Sequence, residues 1–321
     1  MIILNEILFL LFAFLTVFLS IKLSYYVDYL SKHSKVSGAF LAGIVLAGVT
    51  SLPECVTCFS AIFVDNNLLA VGDILGSNIF NIFMICFFDL VFIKKMMFSK
   101  TNKSHNLIFV LLLINYLVLY LFVNKLSFIS FSYVGIPTLV IIVSYFYYLF
   151  RVSKSSSDTV KINDSSCDYV VLKLIVTAVF MVFCSVTLTI IVNNLAKLHP
   201  YFSSSFLGAI FLGITTSLPE VITCYALINM DSYDLALDDI IGSNLFNLMI
   251  LALGDLFIRD ASIYFFADNG VIVLIVLGLL FTLMCFLSNN FRNRFFNKTY
   301  GVFSLLIVIM YLGYWIINFL G

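Results

Sequence analysis

Glu54 and Glu220 each stand beside a proline inside an apolar stretch, within the same five residues, Thr-Ser-Leu-Pro-Glu, at 50–54 and 216–220. Proline has no N–H to donate, so Pro53 frees the carbonyl of Val49 and Pro219 that of Thr215. Thr50, Ser51 and Glu54, like Thr216, Ser217 and Glu220, add hydroxyl and carboxylate oxygens beside the freed carbonyl. Thr50 and Glu54 are four residues apart and share a helix face. Oxygens of these three kinds make a ligand set for a hard cation. The next apolar segment adds Asp73, Ser77 and Asn81 in the first case and Asp239, Ser243 and Asn247 in the second, each triplet at i, i+4, i+8. Each makes one polar stripe on a helix, with Gly76 or Gly242 beside it to let another helix approach closely.

A carboxylate at the centre of a bilayer costs roughly 2.5–3.5 kcal/mol on insertion scales and marks an ion pathway. The basic residues within the apolar segments, Lys22 and Lys173, fall toward segment ends, so a cation from solution is the natural partner of Glu54 and Glu220. Other polar residues have plainer readings. Ser77 or Thr57 alone reads as hydrogen-bonding glue between helices. Asp89 and Asp255 lie near segment ends, where interfacial solvation accounts for them, and Asp65 and Asp231 read as loop residues. Asp73 and Asp239 lie two helical turns, about 12 Å, from Asn81 and Asn247. That spacing puts them at the two mouths of a pathway, unless each only complements the dipole of its helix's first turn.

These residues must be positioned by membrane helices. The chain has 321 residues, 62% of them hydrophobic and 11% charged, with a mean hydropathy of +1.12. Soluble domains carry about 25% charged residues, so this is a polytopic membrane protein in contact with the lipid bilayer. Net charge is zero, and no basic stripe interleaved with aromatics points to nucleic acid. The three histidines fall in loops. Cys55-x-x-Cys58 lies at lipid depth with no second pair, and it reads as packing. Apolar runs long enough to span fall at about 3–27, 37–63, 68–92, 106–123, 127–150, 169–194, 203–229, 235–258, 269–288 and 300–320. Lysine and arginine gather in the loops of one side, among them 151–168, and the positive-inside bias makes that side cytoplasmic and both termini non-cytoplasmic. The expected location is the cell membrane.

Residues 50–90 slide onto 216–256 at a constant offset of 166, with about 20 of 41 positions identical. The duplication divides the chain into a first five-helix repeat (1–150), a linker loop (151–168) and a second repeat (169–321). Five spans is an odd number, so the halves are oppositely oriented. In secondary transporters of that design the site lies near the midplane, where discontinuous helices of the two repeats meet.

With its paired TSLPE and GSN-x-FN (76–81 and 242–247), the sequence resembles the calcium:cation antiporter superfamily, specifically the sodium/calcium exchanger family of prokaryotic type. The resemblance covers both alpha repeats, about 40–90 and 206–256, and the five-plus-five layout of the whole chain. It implies an all-α polytopic membrane protein of about ten transmembrane helices in two inverted-topology repeats. It also implies that Ca2+ leaves in exchange for Na+ by alternating access, spans 1 and 6 sliding over the other eight. Carried over by position, the ion ligands are Thr50, Ser51, Glu54, Ser77 and Asn81 with Thr216, Ser217, Glu220, Ser243 and Asn247, joined by backbone oxygens near Ala47 and Gly213. Neither a cofactor, an enzymatic activity nor an obligate protein partner is implied. The chain departs from the family at Val49 and Thr215, where glycine is usual. It also departs at Asn247, an aspartate in some members, and at Gly72-Asp73 and Asp238-Asp239, where Gly-Asn is usual.

Two carboxylates can neutralise one Ca2+ or be shared by two or three Na+, but do not hold both sets together, which is the physical basis of exchange. The residues leave open a proton- or potassium-coupled divalent cation antiporter. A cation channel is a third reading, against which one pseudo-twofold pocket replaces a ring of oxygens.

Overall fold

A computed structural model of the chain describes residues 2–33, 51–126, 130–131, 134–153, 167–199, 201–259, 261–291 and 301–320. Among the described residues ten helices carry the fold: α1 (Ile2–His33), α2 (Leu52–Phe63), α3 (Asn67–Val91), α4 (Asn106–Leu121), α5 (Ile136–Ser153), α6 (Cys167–Leu198), α7 (Ser204–Asn229), α8 (Tyr233–Phe257), α9 (Asn269–Phe291) and α10 (Val302–Leu320). One falls in each of the ten expected spans; residues 37–50 of the second span lie outside the described residues, and the fifth helix begins only at Ile136, after two short paired strands at 130–131 and 134–135. Eight stretches of the described residues are long and apolar enough to cross a membrane, and Leu52–Phe63 and Ile136–Arg151 are shorter apolar helices.

The turns that follow α2 and α7 are alike. After α2 the N–H groups of Asp65 and Asn66 return to the carbonyls of Ile62 and Ala61, and after α7 those of Asp231 and Ser232 return to Ile228 and Leu227. Both aspartates adopt the left-handed conformation, with φ of 57° and 56°, the geometry of a Schellman C-cap. Asp65 and Asp231 are thus turn residues, as the sequence suggests.

Helices α3 and α8 form the centre. Helix α3 packs against α2, α7, α8, α9 and α10, and α8 packs against α2, α3, α4, α5 and α7. The last helix of each half therefore leans on the central helix of the other half, and the halves interlock. Helices α1 and α6 pack chiefly on each other, with α6 also resting on α2 and α1 on α7. Their outer faces expose Leu10, Phe14, Val179 and Phe183, as lipid-facing helices do.

The helix-end aspartates depart from expectation. Interfacial solvation does not account for Asp89 and Asp255, because both are buried. Asp89 accepts from Ser304 Oγ of α10 at 2.7 Å. Asp255 accepts from Gly135 N, Thr138 Oγ1, Ser262 Oγ and Ile263 N. Each is a hydrogen-bonded anchor between a central helix and the elements around it, and an unpaired carboxylate could not be buried so cheaply. His105 is a turn residue, yet it is buried, its two ring nitrogens 2.7 and 2.8 Å from Asp238 and Asp234.

Candidate ion-binding site

Proline shapes the two site helices differently. Helix α2 starts at Leu52 with Pro53 in its first turn, where the missing N–H costs nothing. Helix α7 runs on through Pro219, and its irregularity is a π-helical turn at Gly208–Leu212 just before the motif. Thr50 and Ala47 lie outside the described residues.

The remaining carried-over residues lie on or, for Ser51, just before α2, α3, α7 and α8, which pack on one another. Glu54 and Glu220 are 0% and 1% exposed. Ser217 Oγ of α7 donates to Glu54 Oε1 of α2 at 3.3 Å. In the mirrored position Ser51 sits beside Glu220, although neither Glu220 oxygen meets hydrogen-bond geometry. Ser77 Oγ donates to Gly213 O at 3.2 Å and lies 3.4 Å from Thr216 Oγ1, which itself returns to Leu212 O at 3.0 Å. Ser77 thus touches the Gly213 carbonyl and the Thr216 hydroxyl together. Ser243 is buried on α8.

Close approach of α3 and α7 makes this convergence possible. A Cβ at Gly76 would lie 2.2 Å from Ala209 Cα, and one at Gly213 would lie 2.7 Å from Ser77 N. Any side chain there would push the hydroxyls and carbonyls of the two helices apart.

Two residues passed over in the sequence complete the arrangement. Asn78 Nδ2 donates to Asn244 O at 3.1 Å, and Asn244 Nδ2 donates to Asn78 O at 2.9 Å. Asn81 Nδ2 donates to Asn244 Oδ1 at 3.0 Å, and Asn247 Nδ2 donates to Asn78 Oδ1 at 3.1 Å. Four hydrogen bonds thus obey one pseudo-twofold axis between α3 and α8. Both asparagines recur at the offset of 166 within GSN-x-FN, which was a usable signal. The i, i+4, i+8 stripe passes one residue to their side.

At these residues the buried oxygens without a hydrogen-bond partner are Glu54 Oε2, both Glu220 oxygens, Ser51 Oγ, Asn81 Oδ1 and Asn247 Oδ1, with Asp73 Oδ1 and Asp239 Oδ2 on the same helices. Native proteins leave few buried acceptors unpaired, because each forfeits its hydration. None of the ion pairs among the described residues reaches these four carboxylates; those pairs join Lys95 to Asp231 and His105 to Asp234 and Asp238. The chemistry of such a set of oxygens suits a dehydrated cation.

The flanking aspartates are not equivalent. Asp73 is fully buried and accepts from Thr57 Oγ1 at 2.5 Å. Asp239 is partly exposed as a residue, although its Oδ2 is buried, and Thr223, the counterpart of Thr57, reaches Pro219 O at 3.0 Å just as Thr57 reaches Pro53 O.

The family model described as sodium/calcium exchanger protein matches residues 5–154 and 169–320, one block per repeat. The chain belongs to the sodium/calcium exchanger protein family. A member of this family is a cation antiporter and not an enzyme. The chain is 25% identical over 234 residues to the uncharacterized membrane protein MJ0091 of Methanocaldococcus jannaschii, covering 72% of this chain and 74% of that protein. It is 26% identical over 251 residues to the inner membrane protein YrbG of Escherichia coli, covering 74% of each. Among solved structures, native YfkE superposes with a TM-score of 0.65 at 16% identity, covering 94% of this chain and 91% of the other. The sodium–calcium exchanger NCX_Mj, soaked with 100 mM Na+ and 10 mM Sr2+, gives 0.57 at 23% identity, covering 98% and 99%. These superpositions show the exchanger fold.

Proposed function

We propose that this exchanger moves Ca2+ against Na+ by alternating access at a site built on Glu54 and Glu220. The observation that carries the reading is the set of buried oxygens without donors, contributed by both repeats and joined by no basic side chain among the described residues. The ligands are Ser51, Glu54, Ser77 and Asn81 with Thr216, Ser217, Glu220, Ser243 and Asn247, together with the Gly213 carbonyl. Thr50 and the backbone at Ala47 complete the first repeat. The solved relative NCX_Mj is named a sodium–calcium exchanger and was soaked with Na+ and Sr2+, in keeping with this choice of ions.

Asp73 and Asp239 serve the two mouths of the pathway. In an alternating-access protein one mouth is sealed while the other is open, and a buried Asp73 with a partly exposed Asp239 fits such a state. The Lys/Arg-rich loops, including the 151–168 linker between repeats 1–150 and 169–321, face the cytoplasm. Both termini then lie outside the cell membrane, and Ca2+, Na+ and lipid are the only partners required.

Proton or potassium coupling is the second reading, and the two extra carboxylates, Asp73 and Asp239, favour it. Uptake of ⁴⁵Ca2+ into proteoliposomes under an imposed Na+, K+ or H+ gradient separates the two. Uptake driven by the Na+ gradient alone is expected. Uptake driven only by H+ or K+ would replace sodium as the counter-ion, and uptake needing no counter-ion would indicate a channel.

A further inference from the structure

The two asparagines of each GSN-x-FN motif have divided roles. An asparagine side chain offers two N–H donors and one carbonyl oxygen. Asn78 spends all of them: Nδ2 on Asn244 O and on Tyr116 OH at 3.1 Å, and Oδ1 on Asn247. Asn244 spends its nitrogen on Asn78 O and its oxygen on Asn81. Each therefore has its one side-chain oxygen already engaged by the other repeat. Asn81 and Asn247 are the reverse, each with its nitrogen committed to the other repeat and its buried oxygen unpartnered.

The network also fixes which way each amide points. Turning Asn81 over would set its oxygen against Asn244 Oδ1, and turning Asn78 over would set oxygen against the Asn244 carbonyl. Either reversal replaces a hydrogen bond by oxygen–oxygen repulsion at a buried site. All four residues are buried, so bulk solvent does not relieve the mismatch.

The geometry assigns Asn78 and Asn244 as a reciprocal pair of positioning residues, each holding the amide oxygen of the other repeat's ligand, Asn247 or Asn81, on the transported cation. The assignment rests on the ion site proposed above and names residues outside its ligand set. Partners that orient a metal's ligands without touching it typically carry 10–100-fold in affinity. The crossed wiring makes each repeat's ligand depend on the opposite helix, so the pair acts only while α3 and α8 stay docked.

The test is a set of double-mutant cycles on equilibrium Ca2+ binding to the purified full-length protein. Asn81→Ala should weaken binding, and Asn244→Ala should weaken it about tenfold. Adding Asn244→Ala to Asn81→Ala should cost almost nothing more, whereas adding it to Asn247→Ala should multiply the losses. Asn78→Ala should show the converse, silent with Asn247→Ala and multiplicative with Asn81→Ala. A general loss of packing would be multiplicative in every combination, and that result overturns the assignment. So does undiminished binding by Asn81→Ala. Where an alanine variant does not fold, the near-isosteric leucine takes its place in the same cycle. A wild-type protein that binds neither Ca2+ nor Na+ removes the ion site itself, and the assignment with it.

Discussion

Gly76 and Gly242 occupy the same place in the two copies of one motif, yet their surroundings predict opposite responses to one methyl group. A Cβ at Gly76 would meet three atoms of Ala209, the nearest its Cα at 2.2 Å. These are a backbone and a Cβ, so no rotamer change can yield. Carbon–carbon contact needs about 3.5 Å, so α3 and α7 would have to part by about 1.3 Å. Overpacking of that kind costs about 1–3 kcal/mol, which shifts an equilibrium about 5- to 150-fold. A Cβ at Gly242 would meet only Tyr148 OH, at 3.7 Å, and one at Gly313 would meet nothing. Gly76→Ala should therefore disfavour the conformation with α3 and α7 tightly docked, while Gly242→Ala and Gly313→Ala leave it in place. The assay is the rate at which a water-soluble maleimide labels Ser205→Cys, a buried position whose backbone abuts Gly72. Gly76→Ala should raise that rate by the factor above. An unchanged rate, or an equal rise in Gly242→Ala, would refute the reasoning.

Glu54→Gln and Glu220→Gln should each abolish Ca2+ transport in proteoliposomes while leaving a folded, monodisperse protein, since each removes a buried carboxylate with at least one unpartnered oxygen. Asp73→Asn should raise the KM for cation on the external side and Asp239→Asn on the cytoplasmic side, most visibly at low ionic strength. Maximal rate should hold, and sided flux assays check it. Asp231, in the exposed turn between α7 and α8, is held below the ordinary carboxylate range first by the Tyr233 hydroxyl and then by Lys95. A depressed folded-state pKa contributes stability above the unfolded value of about 3.9 and loses it as pH falls through the folded one. Melting temperatures of wild type and Asp231→Asn should therefore differ by a constant amount near neutrality and converge below about pH 4. If the loop is cytoplasmic, as proposed from the positive-inside bias, a cysteine placed at 156 should resist an impermeant thiol reagent in intact right-side-out cells.

Much of this protein is written in one dimension. Hydropathy marks ten apolar runs, and a described helix falls in each, because the bilayer tests every residue of a segment alike. The duplication, the inversion that follows from five spans per half, and the paired glutamates are read by aligning the chain with itself. The sequence could not say which asparagine of GSN-x-FN faces the ion. Asn78 and Asn81 are the same residue type three positions apart, and hydrogen bonds to residues more than 160 positions away decide between them. Nor could it say that Asp89 and Asp255 are buried anchors, because their partners come from α10, α5 and the turn after α8. The sharpest limit lies in the repeat itself. Gly76 and Gly242, like Asp73 and Asp239, are identical residues in matching motifs, and any rule read from sequence must treat them alike. They differ because α7 packs closely against α3 at Gly76 while the surroundings of Gly242 and Asp239 are looser, and only the placement of whole helices decides that.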